Sequence, residues 1–360
     1  MLGGLAAAIA IIFFVTFHEA GHFVAAKAVG MKATEFFFGF GPRLWSTRKG
    51  ETEYGLKAIP LGGYVRIVGM NPLEEVAASD MGRTYREKKF WEKSVVVLAG
   101  VGANFLLAFL MFYGLVLANG VPGDVTPVVG VVVEGAPAAD AGLEPGDRIV
   151  AIDGNRIDDW ESVPETLGEI GPGPATVTVE RDGQTLDFAL DLVASETVPG
   201  SGFLGVSPLR EQLTVGPLQA LGVSGQLVRQ GIGDTFSSLY QMLRPSSLAQ
   251  YFGVLLGNTD VPDEIRPVSP IGIVAIGSQV ENLALFVAIL AHVNVILATI
   301  NLLPLFPLDG GHFAVALYEK VTGRQADIRR LMPVAATVIG IFAFLGFVAI
   351  VLDVANPINL

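Results

Sequence analysis

The chain has 360 residues, of which 51% are hydrophobic, and a mean hydropathy of +0.54. The apolar residues gather in a few long blocks, which predicts a membrane protein that carries one soluble module rather than a soluble globular protein. The net charge of −12 argues against a general nucleic-acid-binding protein. Because the chain has no cysteine, disulfide frameworks and thiolate metal sites are excluded.

The first predicted element is an apolar segment over Leu5–Ala28, long enough to cross the ~30 Å hydrocarbon core of a membrane. It lacks the basic start of a cleavable signal peptide, and its second half contains His18, Glu19 and His22. Ionisable side chains are costly in hydrocarbon, so such a cluster favours a functional explanation. We therefore assign residues 1–30 to a first transmembrane helix that carries a site.

His18, Glu19 and His22 form the pattern HExxH. Residues four apart on a helix lie one turn apart on the same face, so both imidazoles can reach one ion. Glu19 can hold a metal-bound water and take its proton. Zinc lowers the pKa of bound water to about 7, which supplies hydroxide at neutral pH. The pattern predicts a hydrolytic zinc site; two packed histidines beside a tolerated glutamate are the alternative.

Residues 31–92 contain short extended runs separated by glycines. We interpret this loop as β-hairpins that dip into the membrane from the cytoplasmic side, since irregular backbone at that depth must be buried or line a cavity. An exposed edge strand there would pair with an unwound peptide and hold it extended over the metal. The alternative is a hairpin lying on lipid headgroups. The candidate substrate-binding residues of this loop are Gly39, Gly41, Tyr54, Gly55 and Leu56.

A second apolar segment, Ser94–Leu117 within residues 93–119, precedes a large loop with β signals. Alternation around Asp182-Gly183 predicts a β-hairpin, and a short helix is predicted near Asp159 to Ile170. The stretch GLEPGDRIVAIDGNRI resembles the motif of PDZ domains, so residues 124–195 are assigned to a PDZ domain, which takes an extended peptide by strand addition. An unrelated β domain that acts as a spacer is the alternative.

Residues 196–281 form a post-PDZ amphipathic region, in which Leu213 to Gly253 predicts a helix on the outer membrane surface. Two more apolar segments follow, Leu283–Leu303 and Val334–Val354. The remaining assignments are a third transmembrane helix at 282–307, a loop at 308–333 and a fourth transmembrane helix at 334–356. The predicted fold class is a polytopic α-helical membrane protein with about four transmembrane helices, a membrane-dipping β-hairpin loop and an inserted β-rich PDZ domain.

Charge placement predicts the orientation of these segments. Residues 27–93 hold twelve basic side chains, whereas residues 118–140 hold none. The positive-inside rule therefore places the loops 29–93 and 308–333 in the cytoplasm, and both termini and residues 118–282 outside. The metal site lies toward the cytoplasmic side, and the PDZ domain is extracytoplasmic.

A catalytic zinc site needs a third protein ligand, and no further histidine extends the HExxH pattern locally. The sequence NLLPLFPLDGGHF places Asp309 where the third apolar segment ends, next to Pro304, Pro307 and two glycines that break the helix. That break would direct a carboxylate into the bundle. The candidates left open at this point are Asp309, His312, His292 and Asp353.

HExxH in the first span, together with NLLPLFPLDGGH late in the chain, resembles the site-2 protease family of intramembrane zinc metalloproteases. The bacterial branch that cleaves anti-sigma factors and carries a PDZ insert is the most similar, through FGFGPRLW, YGLKAIPLGGYV and AGVGANF. The resemblance implies Zn²⁺ held by His18, His22 and Asp309, with Glu19 as the general base.

The resemblance also implies substrate contacts for Asn301 and Asn104. Asn301 matches an asparagine that the family uses near the substrate backbone, although a hydrogen bond within the bundle is equally compatible. Asn104 matches a second-span motif, in which this chain has Val101 where many relatives have proline. We expect His312 to be an interface histidine and His292 to form a hydrogen bond within the bundle.

The implied function is a zinc endopeptidase of the bacterial cytoplasmic (inner) membrane. Its substrate would be a single-pass transmembrane protein pre-trimmed by an upstream protease, or a signal-peptide remnant. The PDZ domain would meet a peptide or an ectodomain, lipids would surround the spans, and no nucleic acid is expected. A non-catalytic PDZ adaptor would have no need for Glu19 or Asp309, and a metal transporter would need polar groups toward both sides of the membrane.

Overall fold

The computed structural model describes residues 2–71, 74–195 and 198–358. Two compact units are described separately: Met1–Val116 with Pro217–Leu360, and Leu117–Gly216. The helices are α1 (Leu2–Ala28), α2 (Phe90–Asn119), α3 (Pro137–Ala141), α4 (Ser162–Ile170), α5 (Pro217–Met242), α6 (Pro245–Leu255), α7 (Pro270–Gln279), α8 (Leu283–Leu302), α9 (Asp309–Thr322) and α10 (Ile328–Ala355). The strands are β1 (Ala33–Lys49), β2 (Thr52–Ile67), β3 (Val121–Val132), β4 (Arg148–Ile152), β5 (Asn155–Arg156), β6 (Gly173–Arg181), β7 (Gln184–Ala194), β8 (Gly202–Phe203) and β9 (Val206–Leu213).

Within the described residues, four helices are long and apolar enough to cross a membrane: α1, α2, α8 and α10, with mean hydropathies of 1.8 to 2.7. The predicted set of four apolar helices is thereby confirmed, and their insertion in a membrane remains a proposal. Helix α8 ends at Leu302, because the residue before Pro304 disfavours helical backbone.

Small residues determine how closely α1 approaches its neighbours. A Cβ atom added at Gly21 would lie 2.5 Å from the carbonyl oxygen of Ala99 in α2. One added at Gly3 would lie 2.1 Å from the carbonyl oxygen of Gly277 in α7. Backbone contacts of this kind are typical of helices that pack in a membrane. Because Gly21 lies inside the HExxH pattern, this packing holds the turn of α1 that carries the pattern against α2.

Strands β1 and β2 are both bent, and their segments form one sheet. Residues 35–38 pair on one side with residues near 63–66 and on the other side with 53–56. Residues 52–56 pair in turn with 45–49. The order across the sheet is therefore 45–49, 52–56, 35–38 and 63–67. We call residues 63–67, which form one outer edge, the edge segment.

The region after the second unit differs from the predicted surface helix. The chain forms two helices there, α5 and α6, because Pro245 starts a new helix after Arg244. Both pack on apolar helices: Gly231 of α5 contacts Val295 of α8, and Tyr251 of α6 lies in a buried cluster with α10. The region therefore forms two helices where one was predicted, and their place relative to a membrane surface stays a prediction.

The second unit is a sheet in the order β8-β7-β6-β4-β3-β9, with β5 paired to β4. Its core holds alternate residues of the strands, including Ile149, Ile152, Val177 and Val179, all fully buried. This alternation is expected of a sheet with one covered face. The hairpin at Asp182-Gly183 and the helix α4 form as predicted.

The second unit continues beyond the boundary predicted at residue 195. Strand β9 pairs with β3 from Val132↔Val206 to Val121↔Leu213, so residues 206–213 belong to the same sheet. Without β9, the outer edge of β3 would lack a hydrogen-bonding partner. The sequence boundary fell short because β9 and β3 are distant in the chain.

Candidate active site

The structure brings together three of the predicted metal ligands. His18 and His22 lie one turn apart on α1, and Asp309 is the first residue of α9. The Asp309 Oδ2 atom lies 3.0 Å from His18 Nε2 and 3.2 Å from His22 Nε2. The two Nε2 atoms are 3.1 Å apart. All three side chains are largely buried.

This arrangement fits a metal ion. Ligand atoms that share a tetrahedral zinc at 2.0–2.1 Å lie roughly 3.3 Å apart, close to the distances observed here. Asp309 Oδ2 is buried and accepts no well-formed hydrogen bond, which leaves it available as a ligand. Two nitrogens and one carboxylate oxygen are a common donor set for catalytic zinc, with a further position open to water.

Contacts from α2 orient His22. Its Nδ1–H donates to the carbonyl oxygen of Val96 at 2.8 Å, which fixes the tautomer and leaves the Nε2 lone pair free for a metal. Gly100 makes room for the ring, because a Cβ there would lie 2.3 Å from His22 Nε2. The Nδ1 atom of His18 is buried without a hydrogen-bond partner in the described structure.

The turn between α8 and α9 positions Asp309. A Cβ at Gly310 would lie 2.1 Å from the carbonyl oxygen of Leu302, and one at Gly311 would lie 2.4 Å from the amide nitrogen of Phe306. Only glycine permits this close fold-back of the chain. The broken helix end predicted from the prolines and glycines is therefore the element that presents Asp309.

Glu19 connects α1 to the sheet. Its Oε2 atom accepts a hydrogen bond of 3.1 Å from the amide of Val65, in the edge segment. The amide of Val65 therefore points away from the paired segment 35–38, toward α1. A carboxylate beside the ligand cluster and a strand edge thus lie next to each other.

A cavity of about 860 Å³ lies beside the edge segment. Four consecutive residues, 64–67, line it together with Phe306 and His312. Because successive side chains of a strand point to opposite faces, four consecutive lining residues place the cavity along the strand edge. Arg66 in this lining forms ion pairs with Glu35 at 3.1 Å and Glu74 at 2.9 Å. The volume is within the usual range for a ligand site.

The candidate substrate residues of the loop do not lie on this edge. Gly39 and Gly41 have positive φ angles of 87° and 82°, between the two halves of β1. Tyr54, Gly55 and Leu56 lie in the segment that is paired on both sides. The backbone groups of Tyr54, Gly55 and Leu56 are therefore used within the sheet, and the outer edge beside α1 is the edge segment. Contact of the five loop residues with a substrate stays a prediction.

The two asparagines have different surroundings. Asn104 is buried in α2, and its backbone carbonyl accepts a hydrogen bond of 2.9 Å from the Asn294 side chain in α8. Asn294 is not among the residues that the sequence predicted to be functional. Asn301 is half-buried in the last turn of α8, and its side chain forms no hydrogen bond within the part of the chain described.

The other three ligand candidates lie outside the cluster. His292 donates to the carbonyl of its own helix residue Ala288 at 2.9 Å. Asp353 accepts a hydrogen bond of 2.8 Å from the amide of Ser269 and lies 3.5 Å from Arg266. The ring of His312 packs against Phe306 at a tilt of 60°, with ring centroids 4.9 Å apart, and burial lowers the pKa of His312.

Comparison with known proteins shows matches over most of the chain. The model of peptidase family M50 matches residues 6–346. The zinc metalloprotease Rip1 of Mycolicibacterium smegmatis is 31% identical, over 98% of this chain and 97% of that protein. A putative zinc metalloprotease of Synechocystis is 31% identical, over 99% and 95%. A PDZ domain of an SdrC-like protein from Listeria innocua is 21% identical with a TM-score of 0.21, covering 25% of this chain and 98% of that domain.

Proposed function

The chain belongs to peptidase family M50, the site-2 protease family, and we propose that this zinc metalloprotease cuts transmembrane segments of single-pass membrane proteins. The predictions of the family and of a zinc metalloprotease are confirmed. The observation that carries the proposal is the cluster of His18, His22 and Asp309 between apolar helices, beside a cavity along a strand edge. Soluble substrates have no need of such a location.

The proposed chemistry assigns one task to each group. His18, His22 and Asp309 would hold Zn²⁺, which would lower the pKa of a water ligand to about 7 and polarise the scissile carbonyl. Glu19 takes the proton of the attacking water and passes it to the leaving amine. The Val96 carbonyl keeps His22 in the tautomer that ligates.

The substrate is proposed to pair, as an added strand, with the edge segment. A transmembrane helix buries its peptide bonds in its own hydrogen bonds, so it must unwind before it is cut. Strand addition along residues 63–67 would replace those bonds with ladder bonds to the sheet. Support comes from the cavity along residues 64–67 and from the contact between Val65 and Glu19. The further candidates for substrate contact are Asn301, Asn104 and the loop residues Gly39, Gly41, Tyr54, Gly55 and Leu56.

We propose that the protein spans the bacterial inner membrane, with the metal site toward the cytoplasm and the second unit outside. The charge of residues 27–93 supports this orientation. The second unit is proposed to act as a PDZ domain that meets substrates after an upstream protease has trimmed their ectodomain. Its support is the motif at 142–157, together with a sheet that ends in an open strand.

The test compares cleavage of a pre-trimmed single-pass reporter by the purified protein and by Glu19→Gln, with zinc content measured in both. We expect the variant to keep zinc and lose cleavage by a factor of at least about 10³. Glu281→Gln is the matched control, because Glu281 is exposed, and it should cut normally. Equal cutting by Glu19→Gln would remove Glu19 as the base. Failure of the unmodified, zinc-loaded protein to cut would favour the non-catalytic PDZ adaptor.

A further inference from the structure

One histidine of the first unit, His312, lies beside the metal cluster without belonging to it. It follows Asp309 by three residues on α9, and residues at that spacing share one face of a helix, with Cβ atoms about 5–6 Å apart. The amide of His312 donates to the carbonyl oxygen of Leu308 at 3.1 Å, so the first turn of α9 is hydrogen-bonded here. The face of α9 that presents Asp309 to His18 and His22 therefore also carries His312.

The imidazole of His312 lines the cavity that runs along the edge segment. Phe306, in the turn before α9, lines the same cavity, and the two rings pack at a tilt of 60° with their centroids 4.9 Å apart. Tilted contacts of this kind restrict the orientation of both rings. A peptide paired with the edge segment would therefore pass the imidazole of His312 close to the metal ligands.

The ring nitrogens of His312 form no hydrogen bond within the part of the chain described. By contrast, His22 donates to the carbonyl oxygen of Val96, and His292 donates to that of Ala288. An imidazole holds at least one N–H in either protonation state. His312 therefore has a hydrogen-bond donor to offer to a molecule in the cavity.

The two side-chain donors within residues 64–67 are already engaged. The hydroxyl of Tyr64 donates to Glu35, and the guanidinium of Arg66 donates to Glu35 at 3.1 Å and to Glu74 at 2.9 Å. Hydrolysis of a peptide bond develops negative charge on the carbonyl oxygen, and a donor placed at that oxygen lowers the barrier. The imidazole of His312 is free for that task.

We propose that His312 is a catalytic residue, which donates a hydrogen bond from its imidazole N–H to the oxygen of the scissile carbonyl as negative charge develops there. The inference rests on the proposed protease function and adds a group to its mechanism. In this step the water oxygen bonds to the carbonyl carbon, the π electron pair of the C=O bond moves onto the carbonyl oxygen, and the proton of the water goes to Glu19. His312 keeps its own proton throughout, as a neutral imidazole does when it polarises a carbonyl.

The test measures kcat and KM for cleavage of the pre-trimmed single-pass reporter by the purified full-length protein, together with its zinc content. His312→Leu removes the donor and should lower kcat by about 10²–10³-fold, with KM within about twofold and normal zinc, because the lost bond forms only in the transition state. His312→Ala is a second donor-free variant with a smaller side chain, and it should show the same loss of kcat. His312→Gln keeps an N–H and should have a kcat at least about tenfold above that of His312→Leu.

His292→Gln is the matched control, because His292 is exposed and bonded to its own helix, and it should cut normally. Reporter cleavage with a kcat within about threefold of normal in His312→Leu or His312→Ala overturns this inference and leaves the protease function standing. Loss of zinc, an effect on KM alone, or equal impairment of the glutamine and leucine variants also overturns it. Failure of the unmodified, zinc-loaded protein to cut removes the proposed function itself.

Discussion

The edge segment of the first unit and strand β9 of the second unit are both outer strands of their sheets, and they differ in sequence. The edge segment contains no proline, and its Val65 amide points outward to Glu19. Strand β9 contains Pro208, which has no N–H to donate, and its register with β3 shifts opposite that residue. A continuous edge suits a substrate that must be held extended while it is cut.

Pairing along the edge segment would give little sequence specificity. Ladder bonds use the backbone, so this edge would accept many sequences once they are unwound.

The largest expected effect comes from removing the metal ligands. His22→Ala should lose zinc and lower cleavage by a factor of at least about 10³, because the remaining two ligands bind zinc poorly. Zinc content is measured by atomic absorption and cleavage with the pre-trimmed reporter. Normal cleavage by His22→Ala would remove His22 as a ligand.

A proline introduced into the edge segment tests whether substrates need the outward amide of this strand. Val65→Pro removes the outward amide without removing a bond to the segment 35–38, and it should lower cleavage about tenfold to a hundredfold while zinc content stays normal. Val65→Ala keeps the amide and serves as the control. If Val65→Pro cuts like the unmodified protein, substrates do not dock along this edge.

A smaller effect is expected at the contact between α2 and His22. Gly100→Ala places a methyl group 2.3 Å from the imidazole as it now lies, so the ring must shift, and zinc affinity should fall about tenfold. Gly102→Ala on the same helix meets open space and should be neutral. Competition with a zinc chelator measures both. Equal affinities would show that the ring has room to move.

The smallest effect concerns the attachment of the sheet to α1. Hydrogen bonds from Arg83 and Lys27 lower the pKa of Glu51 to about 2. The charged form stabilises the folded state above pH ~4.5, and this contribution is lost as the pH falls toward about 2. Glu51→Gln should cost about 0.5–1 kcal/mol at pH 7, because the site is partly exposed. Thermal melts at pH 7 and pH 3 should differ for the unmodified protein more than for the variant.

Local patterns predicted the parts of the site that lie within one element. His18 and His22 needed only helical spacing, and the helix break at Asp309 followed from its prolines and glycines. The choice of Asp309 over His292, His312 and Asp353 required the contact between α1 and α9, which are distant in the chain. Family resemblance supplied that choice, whereas spacing alone left it open.

The sheet edges were harder to predict because register depends on long-range pairing. The glycine-rich loop was correctly interpreted as extended, but which segment would be the outer edge depended on the double pairing of residues 35–38. Strand β9 was missed for a similar reason, since its partner β3 lies more than seventy residues earlier in the chain. The stretch GFLGVSP, with a glycine-flanked turn and a proline, was the available signal.

The hydrogen bond between Val65 and Glu19 has a consequence for the timing of the reaction. One amide cannot donate a full hydrogen bond to two acceptors, so a peptide that pairs with Val65 must displace the Glu19 carboxylate. On the proposed mechanism, the base is restrained while the edge is empty and becomes free when a peptide arrives. Catalysis would thereby be coupled to substrate binding, because the Glu19 carboxylate becomes available only when a peptide occupies the edge segment.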